Sequence, residues 1–427
     1  MTTTDLDELI AFSSADMVTT HPDYSLLGGR LLLSKKVDGS PSELPSCMYE
    51  RVAKHLAKDK KEYKLFADEL KTKRINCATP IYTNAGIEGR NGMISCNLTH
   101  LQEDSIDGIE NTLTKIAYAS KEGAGIGLMI DNLRSKKSDV TSFSAKAGGV
   151  VRFADMVQSK MRFYKQGTRS GSCALYLSVW HRDIMDFLEL TLPVGQEELR
   201  TRDEPWYLFC PKALKDNGLR PLEDLWGEEF EAEYQKAVDL GIGYETSPKK
   251  IWDSIIKSQV ESGRPYVFFK DNANKKNMQS NIGVIKQSNL CIEIMEASKP
   301  SYTPQCTLGS VNLSEHDNEK TIKHSVKVLT RMLNRVIDNN KWSDDWSKDA
   351  GEDQRALAIG VAGMADFFAK KKVSFESEEA VEWQHKIFGT MYESALEESQ
   401  KLAKEEGVYP AAKASRTLTM HLMFQSL

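Results

Sequence analysis

Gln287-Ser288-Asn289-Leu290-Cys291-Ile292-Glu293-Ile294 sets an amide, a thiol and a carboxylate two residues apart. In an extended strand, side chains at i, i+2 and i+4 leave on one face. Asn289, Cys291 and Glu293 would then converge, while Leu290, Ile292 and Ile294 enter a core. The same alternation describes an ordinary half-buried strand, and spacing alone leaves both readings open. Upstream, further short apolar runs at 93–98, 125–131, 174–180, 206–210 and 266–269 read as strands, with 288–294 the last of the series. Helical periodicity over 106–121, 149–164 and 250–262 separates them, and that alternation predicts an α/β unit built on a parallel sheet. Helices precede this unit, up to about residue 74, and more follow it at 323–342, 353–369 and 378–406.

The chain has 427 residues, enough for two or three domains or for one large α/β unit with an appendage. Its 56 Lys and Arg against 61 Asp and Glu give a net charge of -5, which excludes a general attraction to nucleic acid and points to small molecules or proteins as partners. No stretch has the length of a membrane span, and the acidic start lacks the basic and apolar regions of a signal peptide. Seven cysteines form neither a C-x-x-C pair nor a zinc-type cluster, so no metal site is expected. A reducing, cytoplasmic setting is the expectation for such thiols.

Cys96 falls in a predicted strand and Cys306 shortly after the opening stretch. Three cysteines on or beside one sheet can meet, or each can be an ordinary buried thiol. Gly123-Ala124-Gly125-Ile126-Gly127 precedes a strand instead of joining strand to helix, so it reads as a turn and not as a dinucleotide fingerprint. Asp104 or Ser105 suits the cap of the helix starting at Ile106, or a ribose contact. Arg134, beside Lys136 and Lys137, suits a triphosphate or a solvated loop, and the Gly- and Ser-rich segment around Arg169 suits a flexible loop near a nucleotide or a solvated connection. His181 reads as a packed or capping histidine.

Taken in order, Ala78-Thr79-Pro80, Ser95-Cys96, Asp104-Ser105-Ile106, Ala124 to Gly127, Arg134, the Arg169 loop, Asn289 to Glu293 and Cys306-Thr307-Leu308 resemble the large, catalytic subunit of class I ribonucleotide reductase. Asn-x-Cys-x-Glu followed closely by one cysteine, with another far upstream, carries most of the resemblance. It implies half of a ten-stranded α/β barrel: five parallel strands and a central finger loop, with an N-terminal helical region and C-terminal helices. The implied divisions are 1–75 (helical, without an ATP-sensing cone), 76–315 (first half-barrel), 316–410 (helices starting the second half) and 411–427 (an apolar tail).

The resemblance also implies roles. Cys291 would carry a transient thiyl radical, Glu293 would take the 3′-hydroxyl proton and Asn289 would hold the sugar. Cys96 and Cys306 would supply the reducing electrons and end as a disulfide. Thr79, Ser95 and Asn289 match substrate-binding positions, and Asp104, Ser105, Ile106, Arg134 and Arg169 match the site for a deoxynucleoside triphosphate or ATP effector. No cofactor would bind directly. The implied partners are a metal-containing, radical-generating small subunit, thioredoxin or glutaredoxin as reductant, and a second large subunit docked through the helices at 106–121 and 149–164; the implied substrates are ribonucleoside diphosphates.

Counterparts of the family's second half-barrel, its radical-relay tyrosines and its C-terminal cysteine pair are not recognised in these residues. A half-barrel leaves a bare sheet edge. The expectation is therefore an N-terminal piece of a split large subunit, completed by a second chain, with the tail 416–427 as a contact. A truncated gene product is the alternative to a split subunit, and with it a noncatalytic nucleotide-binding remnant or assembly protein; a simple dithiol oxidoreductase fits poorly without C-x-x-C.

Overall fold

The computed structural model describes residues 43–90, 92–140, 144–164, 171–190, 206–342 and 344–414. Arg169 and the tail 416–427 lie outside them.

Two short helices, α1 (Pro45–Leu56) and α2 (Lys60–Lys71), open the described chain, the second capped by Asp59, which accepts from the Lys61 and Glu62 N–H groups. The main sheet holds β1 (Ile75–Cys77), β2 (Cys96–His100), β3 (Gly125–Met129), β4 (Cys173–Tyr176), β5 (Gln305–Asn312) and β6 (Leu357–Ala362). Helix α3 (Ile106–Glu122) joins β2 to β3 and α4 (Gly149–Phe163) leads to β4. Both are crossovers of the kind parallel strands require. The pairings β2–β3, β3–β4 and β5–β6 are parallel, whereas β5 runs antiparallel to β1 and β2. Leu113 and Ile116 of α3 meet Val150, Phe153 and Val157 of α4 over Ile126 and Leu128 of β3, sealing one side of the sheet.

The other large core gathers α1 and α2 around α5 (Glu319–Asn339) and α6 (Glu378–Glu406). Ile322, Val326, Leu329, Leu333 and Val336 recur at helical spacing on α5 and are all buried. Its polar edge is held by charge: Arg335 meets Glu62 at 2.9 Å and Glu406 at 2.6 Å, and Arg331 meets Glu398 at 2.6 Å.

Three expectations fail in detail. Residues 266–269 are not a strand, because Phe269 leads directly into the helix Lys270–Lys275. The helix expected over 353–369 is instead the end of a helix (Asp345–Gln354), strand β6 and a new helix (Met364–Lys371). Arg355 and Gly363, both in the left-handed region with φ of 47° and 68°, break it on either side of β6. Residues 288–294, expected as a strand, form no ladder. They are the tip of a loop closed by a bridge between Val284 and Ser298.

Candidate functional site

The ladder between β2 and β5 sets Cys96 directly opposite Cys306. Opposed residues of an antiparallel pair have Cα atoms about 4.5–5.5 Å apart and share a face, inside the roughly 4.4–6.8 Å span of a disulfide. Both side chains are buried with Leu98 and Ile294, and both are free thiols. Burial pushes the Cys96 thiol up to about 11, with hydrogen bonds to Ser95 and Asn289 pulling the other way. It raises Cys306 well above the usual range, and the Glu296 carboxylate adds to the shift once it is ionised. The pair is thus held protonated, suited to giving up hydrogen and electrons together.

The loop 285–297 lies against β2 and β3 as a finger. Its root is fixed by the Gln287 amide, which donates to the carbonyls of Thr99 (2.5 Å) and Gly127 (3.0 Å). The Tyr176 hydroxyl of β4 donates to the Asn289 carbonyl at 2.6 Å. This approach requires glycine: a Cβ on Gly127 would stand 2.0 Å from the Ser288 oxygen, and one on Gly125 would press on Leu290.

Asn289 explains why the finger tip is not extended. Its Oδ1 accepts from the N–H groups of Glu293 (3.1 Å) and Ile294 (3.3 Å), so a side chain takes the backbone donors that a ladder would use. The chain turns at Leu290-Cys291, and Ile292 takes a φ of 67°. Asn289 and Glu293 still meet, through a turn instead of a strand face. The Asn289 Nδ2 donates to Glu293 Oε1 at 2.7 Å and to Cys96 Sγ at 3.3 Å, tying the finger to the thiol pair. Cys291 stands exposed at the tip, its pKa raised by partial burial and then by the Glu293 carboxylate.

Ser95 belongs to the same cluster: its hydroxyl is 3.7 Å from Cys96 Sγ and 3.5 Å from the Cys306 carbonyl. Thr79 opens the short helix Thr79–Asn84, positioned by the Ala78 N–H bond to the Leu308 carbonyl of β5. No described hydrogen bond links Thr79 to the thiols. On one side of the finger a cavity of about 1210 Å³ is lined by Glu293, Glu296 and Cys306, and across it by Phe269, Phe388 and Tyr392.

A second constellation forms where α3 begins. Ser105 caps the helix, accepting from Gly108 N–H at 3.0 Å, while Ile106 is 81% exposed. Arg134 reaches Asp104 through its Nε, and its Nη2 donates to the Asp104 carbonyl at 3.1 Å. Lys136 is paired with Asp186 at 3.1 Å. His181 is fully buried, its ring bonded to the Leu133 carbonyl and the Asp183 N–H, as a packed histidine. Among the described residues no cluster of three His, Cys, Asp or Glu side chains could hold a metal ion, and no helix is long and apolar enough to cross a membrane.

Sequence reasoning missed Gly125 and Gly127 as docking sites, Gln287 as the anchor, and Glu296. Two glycines spaced by two on a predicted strand are a legible signal of close backbone approach. Glu296 likewise falls in phase with Leu290, Ile292 and Ile294, a charge at a core position.

Fold and site together define an α/β barrel-type protein with a cross-strand dithiol and a third cysteine exposed at the tip of a finger loop. Two domain models match it: the ribonucleotide reductase all-alpha domain over residues 29–90, and the ribonucleotide reductase barrel domain over 94–204 and 198–427. Among similar proteins, the ribonucleoside-diphosphate reductase large chain of Schizosaccharomyces pombe is 35% identical over 89% of this chain and 49% of its own length. Large chain 2 of Saccharomyces cerevisiae is 34% identical over 89% and 47%. The large subunit of Variola virus is 38% identical over 78% and 46%. The chain belongs to the ribonucleotide reductase large-subunit family, and it spans about half the length of the curated relatives it matches.

Proposed function

We propose that this chain carries the reducing site of a ribonucleoside-diphosphate reductase, active once the remaining strands of the barrel, on the same or a second polypeptide, close over the finger. The observation that carries the reading is Asn289, which bonds at once to Cys96 and Glu293 and so joins the finger to the dithiol. Cys291, at the exposed tip, is the radical-bearing thiol that removes hydrogen from the 3′ carbon of the substrate. Glu293 accepts the 3′-hydroxyl proton and Asn289 orients that hydroxyl. As the 2′-hydroxyl leaves as water, Cys96 and Cys306 give two electrons and two protons and become a disulfide, so ribonucleotide plus dithiol yields deoxyribonucleotide, water and disulfide. Thr79 and Ser95 contact the substrate from the β1 and β2 ends.

A metal-containing small subunit supplies the radical, and thioredoxin or glutaredoxin restores the dithiol through the assembled enzyme. Asp104, Ser105, Ile106, Arg134 and Arg169 receive a deoxynucleoside triphosphate or ATP effector; the exposed Ile106 and the Asp104–Arg134 pair support that role. Exposed Tyr118, Met156 and Phe163 on α3 and α4 favour pairing of large subunits there. In the reconstituted assembly Cys291→Ser should abolish turnover and leave effector binding intact. Substantial remaining turnover would refute the radical assignment.

A further inference from the structure

Glu296 lies between the finger tip and the Val284–Ser298 bridge, and only 7% of it is exposed. Neither carboxyl oxygen makes a hydrogen bond among the described residues. A buried carboxyl without a partner is costly, and neither packing nor capping offsets the cost here. The Cys306 thiol and the Gln305 N–H approach it without closing a hydrogen bond, and it shares with Cys306 the wall of the large cavity. The titratable groups facing it are Cys306 on β5, Cys96 on β2 and Tyr302; Glu293 acts on the same two thiols.

Resting on the reading of Cys96 and Cys306 as the working dithiol, we propose that Glu296 delivers a proton to the Cys306 sulfur when their disulfide is reduced. The step takes Cys96, the less buried residue of the two at 5% exposed against 2%, as the one the reductant attacks. A thiolate of the reductant bonds to Cys96 Sγ, the S–S bond breaks, and its electron pair passes to Cys306 Sγ, which takes the Glu296 proton. Glu296, now a carboxylate, recovers a proton from solvent through the cavity. The second thiol of a dithiol reductant then displaces Cys96, leaving both protein thiols reduced and the reductant oxidised. A thiol with a strongly raised pKa is a poor leaving group as a bare thiolate, so Cys306 needs this proton. Burial holds the Glu296 carboxyl up at about 8, so it is protonated at neutral pH and can donate.

The test uses the full chain, oxidised, with the Cys96–Cys306 disulfide mapped by mass spectrometry. Its reduction by dithiothreitol is followed from pH 6 to 9 and divided by the concentration of dithiothreitol thiolate. The wild-type value should fall as pH rises through about 8, where Glu296 loses its proton. Glu296→Gln should be slower by about tenfold or more at pH 6.5, a modest general-acid effect, and flat across the range. Glu296→Met serves the same purpose if the amide variant fails to fold, and the wild-type profile decides by itself. A flat wild-type profile, or a folded variant equal to wild type at pH 6.5, overturns the proposal alone. An oxidised chain with no Cys96–Cys306 disulfide overturns the dithiol reading with it.

Discussion

Replacing Gly127 by alanine should release the finger while leaving the sheet in place. The new Cβ would fall 2.0 Å from the Ser288 oxygen and 3.0 Å from the Asn289 Cα, so the finger must retreat by at least about 1 Å. The Gln287 amide sits 3.0 Å from the Gly127 carbonyl, and a retreat of that size carries it past hydrogen-bond range. Its bond to Thr99 is strained by the same movement. With about 1–2 kcal/mol for each buried bond lost, the docked finger weakens by roughly 2–4 kcal/mol, which raises its open fraction about 30-fold to 1000-fold. The Glu293 and Ile294 N–H groups, which donate to Asn289, should exchange with deuterium faster by that factor where exchange follows local opening, and alkylation of Cys96 should accelerate with them. Gly125→Ala is the contrast: the nearest atoms to its Cβ belong to the Leu290 side chain, at 3.2 Å and beyond, and the substitution should cost about 1 kcal/mol, at the low end of overpacking. If Gly127→Ala leaves both exchange and alkylation within threefold of wild type, the finger is not held by this contact.

Other consequences are reachable by simpler means. Ser105→Ala removes the cap of α3 and should lower thermal stability by about 1 kcal/mol; a melting curve that superimposes on wild type would show the hydroxyl idle. Hydrogen bonds and charge from Arg335 and Lys58 hold the Glu406 carboxyl down at about 2. A carboxyl with a depressed folded-state pKa adds stability above its unfolded value near 4.5 and loses it as pH falls toward 2. Glu406→Gln should therefore destabilise the chain at pH 6 and converge with wild type near pH 2, as read by denaturant melts; a difference independent of pH would contradict the assignment.

Much of the architecture was legible because it rests on local periodicity. The strands near 96, 125 and 173 and the helices α3, α4 and α6 follow from alternation, caps and apolar stripes, whereas the run near 206 is a strand that pairs antiparallel with Tyr244–Thr246 outside the main sheet. What stayed hidden depends on partners distant in sequence. The sequence places β5 only as a region after the finger, and its pairing with β2 brings Cys306 to Cys96 across more than two hundred residues. Leu357 to Ala362 is short and apolar and fits the helical periodicity of 353–369, and its pairing with β5 makes it strand β6. At the finger, the spacing of Asn289 and Glu293 predicts their grouping but not its backbone: the Asn289 side chain competes for the very N–H groups that an extended strand would use. Glu296 could be noticed as a charge in an apolar phase, but its place beside Cys306 needed the three-dimensional arrangement.

In the proposed function, Cys96 and Cys306 supply the electrons for ribonucleotide reduction. The direct measurement is a single turnover without external reductant, with the prereduced chain assembled with the rest of its barrel and a radical-generating subunit. Thiols are then mapped by alkylation and mass spectrometry. One Cys96–Cys306 disulfide should form for each deoxyribonucleotide made by this site, with Cys291 recovered as a free thiol. Product formed while Cys96 and Cys306 both remain alkylatable would contradict it.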